Sequence, residues 1–411
     1  SSSSAASDVY KRQVLYCTYI HFKPICIEYR KNMVKLFSCK AHDGDYFWLR
    51  YKHDAEELYH NLVIDGGRKS NASDFCEMLK RIYENGEKID AMVLTHFDQD
   101  HIMGMLAGLQ KAQKKNCIPE IEALYFNTGE GYWKHHRIEK EYVIFPEETV
   151  KVSVIDRLGY SAGDLIKLMD FFQSYGLEEH ICSYVAQPCG EIQIGDAKIY
   201  IISPSDASLM DLIQNSSDLM QAPPATPYGG TDPDWSVPLD ELCGCSVPED
   251  TSFSNGASIA LLFEFEKIRI AFLGDAYPSV CVNGLRKLGY SAQDPCCVDL
   301  IKLPHHGSKH NCSNEFLRVL RTQNYLLSTD GKSGKLPNKT VLAKLLRSCG
   351  SATIYCNYSW WKKSIYSSFF TEEDRKKWLD AGNLNLIELS SENTSEIVKS
   401  GLELYGFGRG W

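Results

Sequence analysis

The chain has 411 residues, 44% of them hydrophobic and 24% charged, with 53 acidic against 44 basic side chains and a formal charge of -9. That is ordinary globular composition, long enough to bury a core in one large α/β domain or two smaller ones without disulfides. It excludes a whole-surface attraction for nucleic acid. No apolar run is long enough to span a bilayer, and the first residues lack the order of a signal peptide.

The 15 cysteines form no CxxC pair. Cys243-Gly244-Cys245 and Cys296-Cys297 lack second halves at zinc-ribbon spacing. They read as reduced thiols of a cytoplasmic protein. Ser3 to Gln13, SSAASDVYKRQ, resembles a translated sequencing adapter. Residues 1–32 are therefore read as a non-native extension, with the authentic pattern opening at Met33.

In chain order, residues 34–41 and 45–52 read as a strand pair around Asp43-Gly44. Residues 61–65 form a short apolar strand stopped by Gly66-Gly67. Helical spacing over 72–85 puts Phe75, Met78, Leu79 and Ile82 on one side. Residues 91–95 are a buried strand ending at His96, and a helix follows from about Ile102. A helix over 160–176 and a strand pair around Gly195-Asp196 come next. The Pro/Gly/Asp/Ser-rich stretch 222–254 reads as a surface insertion. Strands at 258–266 and 268–275, a helix near 278–288, a strand at 298–304, a helix at 313–321, a strand at 324–329, a helix at 338–347 and a strand at 352–357 complete a domain spanning 33–358. Residues 359–411 are expected to pack on it as an extension with a charged helix near 371–380. Trp360 and Trp361 read as half core, half surface, with base stacking as the alternative. The expected architecture is α/β (α+β), two sheets face to face with helices outside.

The chemistry concentrates in His96-Phe97-Asp98-Gln99-Asp100-His101, four metal-binding side chains within six residues. Neutral imidazoles and carboxylates hold hydrolytic metals, which lower the pKa of water and clamp a phosphate or carbonyl. Asp65-Gly66-Gly67, Gly274-Asp275 and Pro304-His305-His306-Gly307-Ser308 each follow an apolar strand as well. A polar loop with chance histidines would not repeat at four strand ends.

The ordered set NLVIDGG, THFDQDHIMG, SNGASIALLFEF, IAFLGDA, IKLPHHGS and YLLSTDG resembles the metallo-β-lactamase superfamily. Within it, the set is most similar to the hydrolase domain of ComEC-type competence proteins and their stand-alone relatives. The resemblance implies an αββα four-layer sandwich with a metal site at one edge of the sheets. It implies one or two divalent ions, zinc or manganese. His96 and Asp98 would hold the first, Asp100, His101 and His306 the second, and Asp275 both, with Asp100 and Asp275 the catalytic carboxylates. Asp65, His305 and Asn255 would support the ligands. Apart from the resemblance, Ser308 and Lys309 follow the His pair and could meet an anionic substrate, with a solvated loop lysine as the other reading of Lys309. Asp98 stands where many members have His. His135, His136 and His180 fall in no motif that would supply the superfamily's separate third histidine. Lys335-Leu336-Pro337 replaces Gly-His-Pro. These departures favour an oxygen-rich first site and manganese. The implied activity is phosphodiester hydrolysis of nucleic acid or a nucleotide. An ester, lactone or amide hydrolase is the alternative within the fold, and a non-catalytic metal-binding regulator the alternative outside it.

Overall fold

The computed structural model describes residues 33–137, 159–187, 191–219, 233–332, 336–390, 395–397 and 401–407. The adapter-like stretch, all of 138–158 and the first part of the expected insertion lie outside them. All belong to one unit, Asn32–Trp411.

Two eight-stranded mixed sheets form its centre. In space the first runs Ser395–Ile397, Leu402–Phe407, Met33–Cys39, Phe47–Lys52, His60–Ile64, Ala91–Val93, Leu124–Tyr125 and Ile181–Cys182. The second runs Leu384–Glu388, Ala352–Cys356, Asn324–Leu327, Leu300–Lys302, Ile268–Phe272, Ala260–Phe265, Ala197–Ser203 and Ile192–Ile194. Strand side chains alternate, so each sheet has two faces to bury. Val34, Leu36, Leu62 and Ile64 from the first meet Leu261, Phe263, Ile270 and Phe272 from the second in one dry layer. The opposite set of the first sheet, including Phe37, Trp48, Val63 and Met92, packs on the helices Ala72–Glu84, Gln99–Lys114 and Gly159–Ser174. Ala260, Leu262, Ala271 and Ile301 pack on Pro278–Lys287 and Lys339–Cys349 on the far side. The result is helix, sheet, sheet, helix.

Three expectations are corrected. The helix after His96 starts at Gln99, not Ile102, because Asp98 takes the extended N-cap conformation (φ -64°, ψ 148°) one residue earlier. The described end of the insertion is not all surface: Leu239 and Leu242 enter the core, and Asp234 accepts from Thr340 Oγ1 at 2.8 Å. Position 358 is no boundary of the sheets, since Leu384–Glu388 edges one and Leu402–Phe407 pairs parallel with Met33–Cys39 in the other. The charged helix expected near 371–380 is found as the α-turn Glu372–Asp374 continued by a π-helical turn, Arg375–Leu379. Trp360 is fully buried against Tyr366 and Phe369, which removes it as a base-stacking surface. Among the described residues no helix is long and apolar enough to cross a membrane.

Candidate metal centre

Strand ends from both sheets deliver the polar motifs to one place. Residue 95 follows Ala91–Val93, and its carbonyl accepts from Ile259 N–H at 2.8 Å, tying the first sheet to the second beside the site. The helix Gln99–Lys114 lies close against the end of His60–Ile64. Gly104 permits that approach: a Cβ there would fall 1.9 Å from the Gly66 carbonyl oxygen. This seats Asp100 and His101 in the first helical turn.

Asp65 is fully buried at φ 56°. It accepts from Thr95 N–H and Thr95 Oγ1, each at 2.7 Å, and from His101 Nδ1 at 2.8 Å. His306 Nδ1 donates to the Ser328 carbonyl at 2.8 Å. His96 Nδ1 lies 3.1 Å from Thr95 Oγ1 and 3.3 Å from Ser258 Oγ. Each Nδ1–H is thus directed to a protein oxygen, which leaves the Nε2 lone pair free to bind a cation.

Those lone pairs converge. Around Asp275 Oδ2 stand Nε2 of His96 at 3.9 Å, His101 at 3.8 Å, His305 at 3.8 Å and His306 at 3.9 Å. Asp98 Oδ2 is 3.6 Å from His96 Nε2, and Asp100 Oδ2 is 3.7 Å from His306 Nε2. Two donors sharing one ion at ~2.1 Å with tetrahedral angles sit roughly 3.4 Å apart. The observed spacings are within a few tenths of that. Donor atoms of His96, His101 and Asp275 form one compact set, and those of Asp100, His101 and His306 another. Among the described residues, Nε2 of His96, His101 and His306 and Oδ1 of Asp275 are buried without a hydrogen-bond partner. Buried polar atoms are rarely left so, and a cation would satisfy all four. The donor set fits one or two divalent ions.

The electrostatics agree. Burial would raise the Asp275 carboxyl, yet the imidazoles of His305, His306, His101 and His96 hold it well below the ordinary carboxylate range. Burial would lower His101, but Asp65, Asp275 and Asp100 raise it well above its usual value. Burial prevails at His306, which is lowered. The cluster is anionic and takes up protons where no cation balances it.

The histidines of Pro304–Gly307 owe their aim to backbone: His305 and His306 are both left-handed (φ 43° and 53°), followed by Gly307 at φ 81°. Such conformations are costly for non-glycine residues and gather at functional sites. Asn255 donates to Asp250 Oδ2 at 2.7 Å and lies 3.3 Å from His305 Nδ1. Ser308 is buried, its Oγ accepting from His310 N–H at 3.3 Å within the turn. Lys309 follows, half-buried, its N–H donating to Asn338 Oδ1 at 2.8 Å. Neither contacts the cluster in the interactions described.

Several residues at the site escape a sequence reading. Asp45 and Lys302 form an ion pair with both side chains 1% exposed, and Asp45 Oδ1 is 3.7 Å from His306 Nδ1. Thr95 and Ser258 supply the hydroxyls behind His96. Asp250 accepts from Asn311 at 3.0 Å and lies 3.3 Å from His305 Nδ1. Position 95 sits beside the His-rich run and could have been found there. Asp45, Asp250 and Lys302 have no motif that points to them. His135 stacks on Tyr184, and His136 approaches Asp206. His180 meets the Glu122 carbonyl, so none of the three joins the cluster in these contacts.

Residues 60–166 match the family model described as the metallo-beta-lactamase superfamily. No curated protein matches the chain. Among solved structures, it is similar to the metallo-beta-lactamase fold protein YhfI from Bacillus subtilis (10% identity, 85% of this chain and 95% of that one, TM-score 0.32). It is similar also to a diphosphatase of the PhnP family (13%, 82% and 79%, 0.33) and to CmlA, a diiron beta-hydroxylase from Streptomyces venezuelae (11%, 87% and 53%, 0.32). Likeness at these scores is too loose to assign a substrate or a ligand set. The family match covers the stretch from His60–Ile64 through the helix that carries Asp100 and His101, and the mixed α/β architecture is consistent with the metallo-β-lactamase fold.

Proposed function

We propose that the chain is a metal-dependent hydrolase of the metallo-β-lactamase superfamily that cleaves an anionic phosphodiester, with nucleic acid or a nucleotide as the substrate class. The observation that carries this is the convergence of imidazole Nε2 atoms on Asp275, three of them buried and without a hydrogen-bond partner among the described residues. In this reading His96 and Asp98 would hold a first divalent ion and Asp100, His101 and His306 a second, with Asp275 a ligand available to either. Asp98 in place of an imidazole adds a hard oxygen donor, which favours manganese over zinc at the first position. When bound, such ions supply Lewis acidity, making water nucleophilic near neutral pH and offsetting charge on phosphorus.

The chain's own residues do the rest. Asp65, the Ser328 carbonyl and the two hydroxyls hold the tautomers, so no reorganisation is needed when an ion or substrate arrives. Asp100, partly exposed, stands where it can orient the attacking water. Ser308 and Lys309 lie on the turn next to His306 and would receive the phosphate. The preference for a phosphodiester rests on the likeness to ComEC-type motifs, and the reduced-thiol reading of the cysteines is what favours the cytoplasm.

The test is elemental analysis of purified protein, then hydrolysis of bis(p-nitrophenyl) phosphate and single-stranded DNA with manganese or zinc. p-Nitrophenyl acetate and a lactone serve as competitors. Phosphodiester cleavage abolished by Asp275→Ala is the expected result. Cleavage of the ester or lactone alone would replace the substrate class. Protein that retains no metal after loading would refute the centre.

A further inference from the structure

Four histidines surround Asp275, yet the ligand set above uses three. We infer that His305, backed by Asp250, is the imidazole that completes the first metal position. This rests on the metal-centre reading above.

The four rings share one electronic arrangement. His101 directs Nδ1 to Asp65 at 2.8 Å and His306 to the Ser328 carbonyl at 2.8 Å, and His96 has Nδ1 3.1 Å from Thr95 Oγ1. His305 Nδ1 meets Asn311 Oδ1 at 3.0 Å, with Asp250 Oδ2 at 3.3 Å. Once Nδ1–H is engaged by an oxygen, Nε2 presents a lone pair. At His305 that lone pair faces Asp275 Oδ2 at 3.8 Å, as close as in the other three. A lone pair and a carboxylate repel unless a positive charge lies between them.

The support behind His305 is as developed as that behind His101. Asp250 accepts from Asn255 Nδ2 at 2.7 Å, Asn311 Nδ2 at 3.0 Å and Ser252 N–H at 3.0 Å. Asn255 belongs to the turn Phe253–Gly256, and the neighbouring Ser254 Oγ donates to Asp98 Oδ1 at 2.7 Å. One turn therefore braces both Asp98 and His305, the two groups proposed for the first position.

The two positions differ in closure. Asp100, His101 and His306 already form a compact donor set. At the first position Asp98 reaches His96, and His305 reaches Asp275, without a compact set that includes either. The His305 side chain is 31% exposed, against 3% or less for His96, His101 and His306, so it has room to swing inward. A tight ion is expected in the second position and a weaker one in the first, its shell made of His96, Asp98, His305 and Asp275.

The experiment strips the full chain with chelator and titrates it with manganese or cobalt alone. Bound metal is counted by equilibrium dialysis and elemental analysis, and cobalt is followed by its visible absorption. Wild type should bind two equivalents of unequal affinity. His305→Ala should keep the tighter and lose the weaker. Asp250→Asn should weaken the looser of the two equivalents by about 10–100-fold, the range for an outer hydrogen-bond partner of a ligand. If His305→Ala fails to fold by circular dichroism, His305→Gln is counted in its place. Two equivalents at unchanged affinities in a folded His305 variant would overturn the assignment. A wild type that binds one ion would overturn it too, leaving the hydrolase reading standing on the second position. A wild type that binds none overturns both.

Discussion

Replacing Asp65 by Asn isolates what orients the His101 ring. The carboxylate is fully buried and accepts three hydrogen bonds, from Thr95 N–H, Thr95 Oγ1 and His101 Nδ1, at 2.7 to 2.8 Å. Asn is nearly isosteric and tolerates the φ of 56°, so neither cavity nor backbone strain enters. Its amide can keep one oxygen. If the oxygen stays on Thr95 N–H, the NH2 faces His101 Nδ1. His101 must then accept at Nδ1 and carry its proton on Nε2, where the lone pair for a cation was. If the amide flips, two N–H groups confront each other at residue 95. Either way one charge-assisted bond is lost, worth about 1.5–3 kcal/mol of folding stability, and metal affinity should fall by about 10–100-fold. Urea denaturation of the metal-free protein measures the first term, and competition with a chromophoric chelator the second. Asp65→Asn binding metal as tightly as wild type would show that the hydrogen bond does not set the tautomer.

Three further outcomes are expected. Asp275→Ala should remove nearly all phosphodiesterase activity and at least one metal equivalent, read by turnover and elemental analysis; wild-type turnover in a folded variant would remove Asp275 from the mechanism. Metal affinity should rise with pH across the neutral range: Asp65, Asp275 and Asp100 raise His101 well above its usual value, so the metal-free cluster holds a proton that metal must displace and that is lost as pH rises. Chelator competition at several pH values reads this, and a flat profile would contradict it. Lys302→Met should destabilise by about 3–5 kcal/mol, because it leaves Asp45 charged and buried without its partner; a urea midpoint within error of wild type would refute that accounting.

The parts of the fold that could be read in sequence are those whose physics is local. The helix Ala72–Glu84 announces itself by spacing, and Ile268–Phe272 by a run before Gly274-Asp275 that is apolar except at Arg269. The six residues from His96 to Asp100-His101 carry their chemistry in one stretch. The strand Leu402–Phe407 does not stand out, because its place beside Met33–Cys39 is set by a pairing across the whole chain. The same holds for Asp250, which looks like one more acid in a polar insertion until the chain brings it 3.3 Å from His305. Lys302 reads as an interruption in the strand Leu300–Lys302, and its buried partners, Asp45 and the Gly274 carbonyl, explain it.

Those hidden acids change what the centre requires. Asp45, Asp65, Asp98, Asp100, Asp250 and Asp275 gather around four imidazoles, and Lys302 is the buried cation that answers Asp45. Like charges at such spacing repel strongly in a poorly solvated pocket. A phosphodiester, itself anionic, would be turned away from the bare cluster. Two divalent ions would bring the assembly close to neutral and give it a positive face toward solvent, where Asp98 and Asp100 are partly exposed. Metal would then act before chemistry, as the condition for substrate to approach at all. That order predicts that a non-hydrolysable phosphodiester analogue binds the loaded protein and not the stripped one. Calorimetry on both forms reads it directly, and equal affinity in the two would place the phosphate-binding groups elsewhere on the chain.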